Sequence, residues 1–251
     1  MKLLLISFGL VMLLFDAIGG AIAGAVQEGE AKDVGSQSAK DDEVRVRPID
    51  AYISLFGGIA SPLKTDITEG DITLKDSKLD NSPSIGGKVG MWLTAPRKTL
   101  GIDFGVEIDI TNFNPDQKGG QVLMTNAGFP VITRSVDLNA TFAGVNVLTR
   151  LPIDVTPEFP NGRWFPYVGI GGGGQRISFQ TSTSTEARDT SPAFQALGGF
   201  KIFLFRHVAV FGEAKFIHAT NTLEFQRGSL TTSTEFTLNS VHGVGGLSFH
   251  W

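Results

Sequence analysis

The 251-residue sequence contains no cysteine. That excludes disulfides, thiolate metal sites, cysteine nucleophiles and a lipid-modified cysteine anchor. Charge is scarce, at 18% of residues against the ~25% usual in soluble domains. The net charge is −4 and there is no basic block, so nothing points to nucleic acid. After the first 26 residues, no uncharged apolar run reaches the ~20 residues that a membrane-crossing helix needs. Tyrosine is nearly missing, with 2 residues against 19 phenylalanines.

What is abundant is glycine, with 31 residues. The mean hydropathy is only +0.09, too low for a bundle of membrane helices. Strands whose side chains alternate between lipid and a polar interior average to such a value.

The clearest strand is the last stretch, LNSVHGVGGLSFHW. Val241, Gly243, Gly245, Leu247, Phe249 and Trp251 fall on one face. Ser240, His242, Val244, Gly246, Ser248 and His250 fall on the other. This is a period of two, running to an aromatic final residue. Chain ends usually fray unless something holds them. A strand that closes a barrel, apolar outside and polar inside, would hold this one.

Residues 100–111 give the same signal. Leu100, Ile102, Phe104, Val106, Ile108 and Ile110 alternate with Gly101, Asp103, Gly105, Glu107, Asp109 and Thr111. On a helix these characters would mix on every face; on a strand they separate. The run also exceeds the ~5–6 residues of an average strand and suits the ~9–11 of a membrane strand. Six further strands are expected at residues 49–59, 84–94, 135–150, 165–180, 194–204 and 208–219, which with the final one makes eight. The alternation of 135–150 slips at Ala143-Gly144, where a bulge is expected.

Short turns at 95–98 and 205–207 alternate with long polar segments at 60–83, 112–134, 181–193 and 220–235. That is the outer-membrane pattern of short periplasmic turns and long surface loops. The connection 151–164 is long for a periplasmic turn and rich in proline. The run GIGGGG at 169–174 has the spacing of a phosphate-cradling loop. No helix follows to supply the dipole such a loop needs. Small residues that let a narrow barrel bend explain the run better.

At the N-terminus, Met1-Lys2 precedes an apolar run and the small-residue site Ala21-Ile22-Ala23. Residues 1–23 read as a secretory signal peptide cut before Gly24. Residues 24–47 form a polar lead-in with too little apolar surface to fold, and 48–251 the barrel.

Several stretches resemble one family. Pro166-Tyr167-Val168-Gly169-Ile170-Gly171-Gly172-Gly173, the preceding Pro160-Asn161-Gly162-Arg163-Trp164, Phe211-Gly212-Glu213-Ala214-Lys215-Phe216 and the ending Gly246-Leu247-Ser248-Phe249-His250-Trp251 are similar to the motifs of the outer membrane protein β-barrel domain family, the OmpA-like eight-stranded barrels. The resemblance covers about 48–251. It departs in ending on Trp251 where Phe is commoner. It leaves no room for the peptidoglycan-binding domain of OmpA-type proteins, so a cell-wall-anchoring role does not transfer.

The faces read as inward hold Asp103, Glu107, Asp109 and Glu213 against Lys88, Arg150, Lys201 and Lys215. An eight-stranded barrel is just wide enough to be filled by side chains, and buried charges must pair. A salt-bridged plug is expected; an ion or proton path is the sharper alternative. Loop carboxylates Asp66, Glu69, Asp71, Asp76 and Asp80 lack the spacing of a calcium loop. His218-Ala219-Thr220-Asn221 is similar to the His-x-Ser-Asn stretch of PagL-type lipid A deacylases. That resemblance implies a hydroxyl at Thr220 activated by His218, with a carboxylate such as Glu224 behind it. Thr220 stands where Ser is expected and no other PagL feature is evident, so a structural or loop-packing role explains His218 better.

The expected fold is therefore all-β, an eight-stranded antiparallel up-and-down transmembrane β-barrel. It is placed in a Gram-negative outer membrane, with Phe249, Trp251 and Tyr167 in a periplasmic aromatic girdle. The expected function is non-enzymatic, in envelope integrity or loop-mediated surface binding. The alternatives are a PagL-like lipid A deacylase and a narrow pore. No catalytic, cofactor or metal residue is assigned. The expected partners are outer-membrane lipid and lipopolysaccharide, the barrel assembly machinery through the strand ending in Phe249 and Trp251, and a surface ligand the sequence does not identify.

Overall fold

A computed structural model describes residues 47–69, 72–116, 120, 122–132, 137–180, 186–227 and 230–251. The expected signal peptide, and the lead-in up to residue 46, lie outside the described residues.

Twelve strands are described in chain order. They are β1 (Ile49–Pro62), β2 (Thr65–Glu69), β3 (Ile72–Ser77), β4 (Ser82–Leu93), β5 (Asp103–Phe113), β6 (Val122–Met124), β7 (Pro130–Ile132), β8 (Asp137–Arg150), β9 (Trp164–Gln180), β10 (Glu186–Phe205), β11 (Val208–Arg227) and β12 (Leu230–His250). Eight of them, in the order β1-β4-β5-β8-β9-β10-β11-β12, pair antiparallel with their neighbours. Pairing of β1 with β12 closes the ring. The barrel therefore has no open edge along its wall, and every wall strand finds its backbone partners within the sheet.

The register fixes the geometry. The row Tyr52, Gly90, Glu107, Asn146, Gly171, Gln195, Ile217 and Ser240 returns to β1 at Pro62. Pro62 lies ten residues beyond Tyr52. Eight strands with that stagger tilt by about 40° to the barrel axis.

The outward face is apolar over one band. It begins at Ile49, Leu93, Phe104, Leu204 and Phe249 and ends at Ile59, Ile85, Phe194 and Val241, all exposed. Ten residues along a strand at this tilt make a belt about 25 Å tall. Immediately above it the outward positions turn polar, at Asn112, Thr141, His218 and Asn239. A polar interior inside an apolar belt of that height is a membrane-spanning barrel. Among the described residues no helix is long and apolar enough to cross a membrane.

Three expectations are corrected. Residues 97–100 form a single helical turn, α1 (Arg97–Leu100), ended by Gly101 at φ 74°, so β5 starts at Asp103. No bulge interrupts β8, whose pairing with β5 and β9 runs unshifted. The apparent slip arises because Phe142 and Leu148 point inward among polar neighbours while Thr141 and Thr149 point outward. The segments expected as loops at 181–193 and 220–235 are largely strand, as β10, β11 and β12 continue past the belt. Beyond the belt neither face needs to be apolar, so the alternation that marks a membrane strand fades there. On the same side β2 joins the upper part of β12, and β3 pairs with β2.

Candidate functional site

The interior is filled in layers. At the long-loop end Ala60, Phe113, Leu138, Ala140, Ile177, Phe236 and Leu238 form one buried apolar cluster. At the short-turn end Tyr52, Trp92, Leu148, Phe165, Tyr167, Leu197, Phe203 and Ala209 form another. Phe159, from the proline-rich connection, packs beneath it with its ring 6.4 Å from that of Phe203. The length of that connection thus has a structural reason: it closes the floor. Arg97 donates 2.9 Å to the Pro160 carbonyl and ties α1 to it.

Between the apolar layers lies a charged network. Lys88 Nζ is 2.7 Å from Glu213 Oε1, 3.0 Å from Glu107 Oε1 and 3.6 Å from Asp109 Oδ2. Lys215 Nζ donates 2.8 Å to Asp109 and 2.9 Å to the Thr111 hydroxyl. Each carboxylate also accepts from a neutral donor. Tyr52 donates 2.7 Å to Glu107, Tyr167 2.8 Å to Glu213 and Gln195 3.0 Å to Asp109. Buried carboxylates need this many partners, because leaving one lone pair unmet in a low-dielectric interior is costly.

A second network lies at the floor. Arg150 is 2.7 Å from Asp50 and 2.8 Å from Asp103, and sits 4.7 Å over the Trp92 ring and 4.6 Å over Phe165. Arg97 pairs with the same Asp103. His250 Nδ1 is 2.8 Å from Asp50, and Lys201 donates 2.9 Å to Ser248 and lies 4.2 Å over the Tyr52 ring. All eight residues read from the sequence as inward charges are buried. Asp50 was missed: a lone aspartate at the start of the first strand shows no alternation to assign its face. With it, five acids meet Lys88, Arg150, Lys215 and the rim residue Arg97, while Lys201 has Ser248 and the Tyr52 ring as its partners.

Glycine makes room for this filling. A Cβ at Gly90 would lie 2.7 Å from the Tyr52 hydroxyl oxygen, and one at Gly105 2.7 Å from the Trp92 ring. Each ring lies across the glycine paired with it on the next strand. The run at 169–174 is part of β9, with no helix after it, so it holds no phosphate loop. Tyr167, expected in the girdle, is instead buried and faces inward. The single-residue shift between faces puts its hydroxyl on Glu213 and leaves Phe205, Phe249 and Trp251 outside at that end.

His218 and Thr220 are both exposed on the outward side of β11, at and above the upper edge of the belt. His218 Nδ1 lies 2.6 Å from Asn239 Oδ1, and Thr220 Oγ1 3.3 Å from Thr237 Oγ1. Their partners are thus an amide and a second hydroxyl, not each other. Glu224 is six residues along the same strand from His218, about 20 Å of strand length away. Among the loop carboxylates, Asp66 accepts 3.0 Å from the Asp76 N–H, and Asp76 is 3.2 Å from Lys64. Asp71 lies outside the described residues. Among the described residues no three carboxylates or imidazoles come together as a metal site.

No family model and no curated protein matches the sequence. Solved structures of outer-membrane barrels do match. OprG from Pseudomonas aeruginosa is 15% identical, over 84% of this chain and 99% of that one, with a TM-score of 0.48. The outer membrane protein AlkL, solved in lipid bilayers, is 16% identical over 87% and 97%, with a TM-score of 0.41. Neisserial surface protein A is 11% identical over 78% and 96%, also at 0.41.

Proposed function

We propose that this chain is a non-enzymatic outer-membrane barrel that works through its surface, in envelope integrity or in binding at the long-loop end. The observation that carries this reading is the filled interior. Apolar clusters occupy both ends of the lumen, and the charges between them are spent on one another. Asn146, Gln175 and Gln195 keep side-chain atoms without a partner in the lumen, but an ion path also needs a wetted route past both apolar clusters. Among the described residues, His218 pairs with an amide and Thr220 with a second hydroxyl, so neither a carboxylate on the ring nor a hydroxyl in contact with it is found there. The surface has what the interior lacks: β10, β11 and β12 carry a sheet beyond the belt, broadened by β2 and β3.

The test is conductance across a planar bilayer, with heat-dependent gel mobility as proof that the protein inserted is folded. Conductance indistinguishable from a detergent blank supports the reading. Steady single-channel steps from the folded protein would overturn it in favour of a narrow pore. Protease added to whole cells tests the orientation. Cleavage between β11 and β12 is expected, and protection of all long loops beside a cleaved surface control would reverse it.

A further inference from the structure

The short-turn end carries a second feature that the filled interior does not explain. The stretch before β1 and each connection there present an exposed cation: Arg47 before β1, Lys98 in α1, Arg163 before β9 and Arg206 between β10 and β11. The acids of that end are differently placed. Asp50 and Asp103 are buried and committed to the floor network, leaving Asp154 and Glu158 exposed on the long connection. Arg47 and Arg206 have no ion-pair partner among the described residues.

These two arginines border one recess of about 30 Å³, together with His207, Asn161, Trp251 and the pair Asp50 and His250; the Asp50 carboxylate there is already held by Arg150 and His250. His207 is fixed by its Nδ1, 2.9 Å from the His250 carbonyl. Asn161 keeps a buried Oδ1 without a hydrogen-bond partner. The recess opens at the lower edge of the apolar belt. The Trp251 and Phe249 rings stack 6.2 Å apart beside it, and Phe205 is 68% exposed.

We propose that this recess binds the headgroup of an anionic glycerophospholipid from the membrane leaflet at the short-turn end. Arg47 and Arg206 take the phosphate, since guanidinium groups match its oxygens and pair with it strongly. The acyl chains run up the belt along Phe249 and Trp251, where aromatic rings ordinarily meet the interface. Adjacency to the belt singles out a lipid over a soluble phosphate, because only an amphiphile uses both halves of the surface. The inference rests on the barrel and its belt, not on the function proposed above.

Trp251 makes the site readable. In full-length protein carrying Trp164→Phe, reconstituted into phosphatidylcholine bilayers, brominated phosphatidylglycerol and brominated phosphatidylcholine are compared as quenchers of tryptophan emission. Trp92 is buried in the lumen and contributes a constant background. The expected result is a preference for phosphatidylglycerol on the order of tenfold, as for two arginines near a membrane surface. It falls to about one in Arg47→Gln/Arg206→Gln and persists in Lys98→Gln/Arg163→Gln. Equal quenching by the two lipids in the parent protein overturns the proposal. So does a preference that survives in the Arg47/Arg206 variant, which would make it a property of the whole rim. Relief of quenching by inorganic phosphate at constant ionic strength would identify an anion site indifferent to lipid, and also overturns it. The heat-dependent gel shift confirms that each variant is folded.

Discussion

Lys88 on β4 and Glu213 on β11 meet 2.7 Å apart across the lumen, although their strands are not neighbours in the sheet. A contact of this kind ties opposite walls together, which hydrogen bonds between adjacent strands cannot do. Lys88 also holds Glu107 at 3.0 Å, so its removal takes the nearest cation from two buried carboxylates. Breaking one side of a buried ion pair costs about 3–5 kcal/mol. Lys88→Met should lower stability by that amount in a urea titration of folded protein in vesicles. Adding Glu213→Gln should recover part of the loss, because it removes one of those two charges. Equal stability of Lys88→Met and the parent would mean the pair contributes nothing net.

The inward glycines predict a contrast between two equally small substitutions. A methyl group at Gly90 would come within 2.7 Å of both the Tyr52 hydroxyl oxygen and the Val106 carbonyl, whereas one at Gly243 would meet nothing within 4 Å. Gly243 is on the outward face of β12. Gly90→Ala should destabilise by about 1–3 kcal/mol, the usual cost of overfilling a packed interior. Gly243→Ala should be neutral or slightly stabilising, since alanine loses less backbone entropy than glycine. The same urea titration distinguishes them, and an equal loss in both would remove the steric account of the glycine content.

Where the two faces of a strand met different solvents, the sequence was legible. Residues 103–111 alternate acids, a glycine and a threonine with large apolar residues, and the structure places each on the expected side. The eight inward charges were readable for the same reason. Legibility failed where one of the two solvents was missing. Past the belt both faces of β11 and β12 meet water, so residues 220–235 look like a loop though they are largely strand. Inside the barrel, Phe142, Phe165 and Tyr167 fill the lumen with rings, which in sequence look like lipid-facing residues. Asp50 stands at a strand start, where no alternation precedes it. The pairing of His218 with Asn239 joins residues 21 apart, and no local pattern encodes it.

Phe159 gives a prediction about the floor. Its ring covers Phe203 from below, and Arg163 stacks over it at 5.8 Å. Phe159→Ala removes the only phenylalanine that the connection of residues 151–163 contributes. Because the residue is half-buried, a loss near the low end of the ~3–5 kcal/mol range for buried Phe→Ala is expected. Phe203 should then become accessible from the short-turn side. Hydrogen exchange should show faster exchange in residues 151–163 with the wall strands unchanged. Exchange that rises equally in β9 and β10 would mean that the connection is part of the barrel's cooperative unit and not a separable plug.

The last prediction concerns the histidine at the belt's upper edge. His218 faces outward where lipid headgroups would lie, the one place on the barrel wall where a histidine and a hydroxyl share an exposed strand face at that edge. A hydrolase built there would need the Thr220 oxygen within hydrogen-bond reach of the imidazole and an acid on its far nitrogen. Instead the Asn239 amide oxygen takes one nitrogen, and Thr220 pairs with Thr237. An amide holds a ring in place but does not stabilise the imidazolium that must form as the hydroxyl loses its proton. The expected outcome is that lipid A from cells expressing the chain keeps all its acyl chains, with identical mass spectra for the parent and Thr220→Ala. His218→Ala should change only the exchange protection of neighbouring amides on β11 and β12. A missing acyl chain in the parent that Thr220→Ala restores would reinstate the hydrolase, and would require the Asn239 pairing to break when lipid binds.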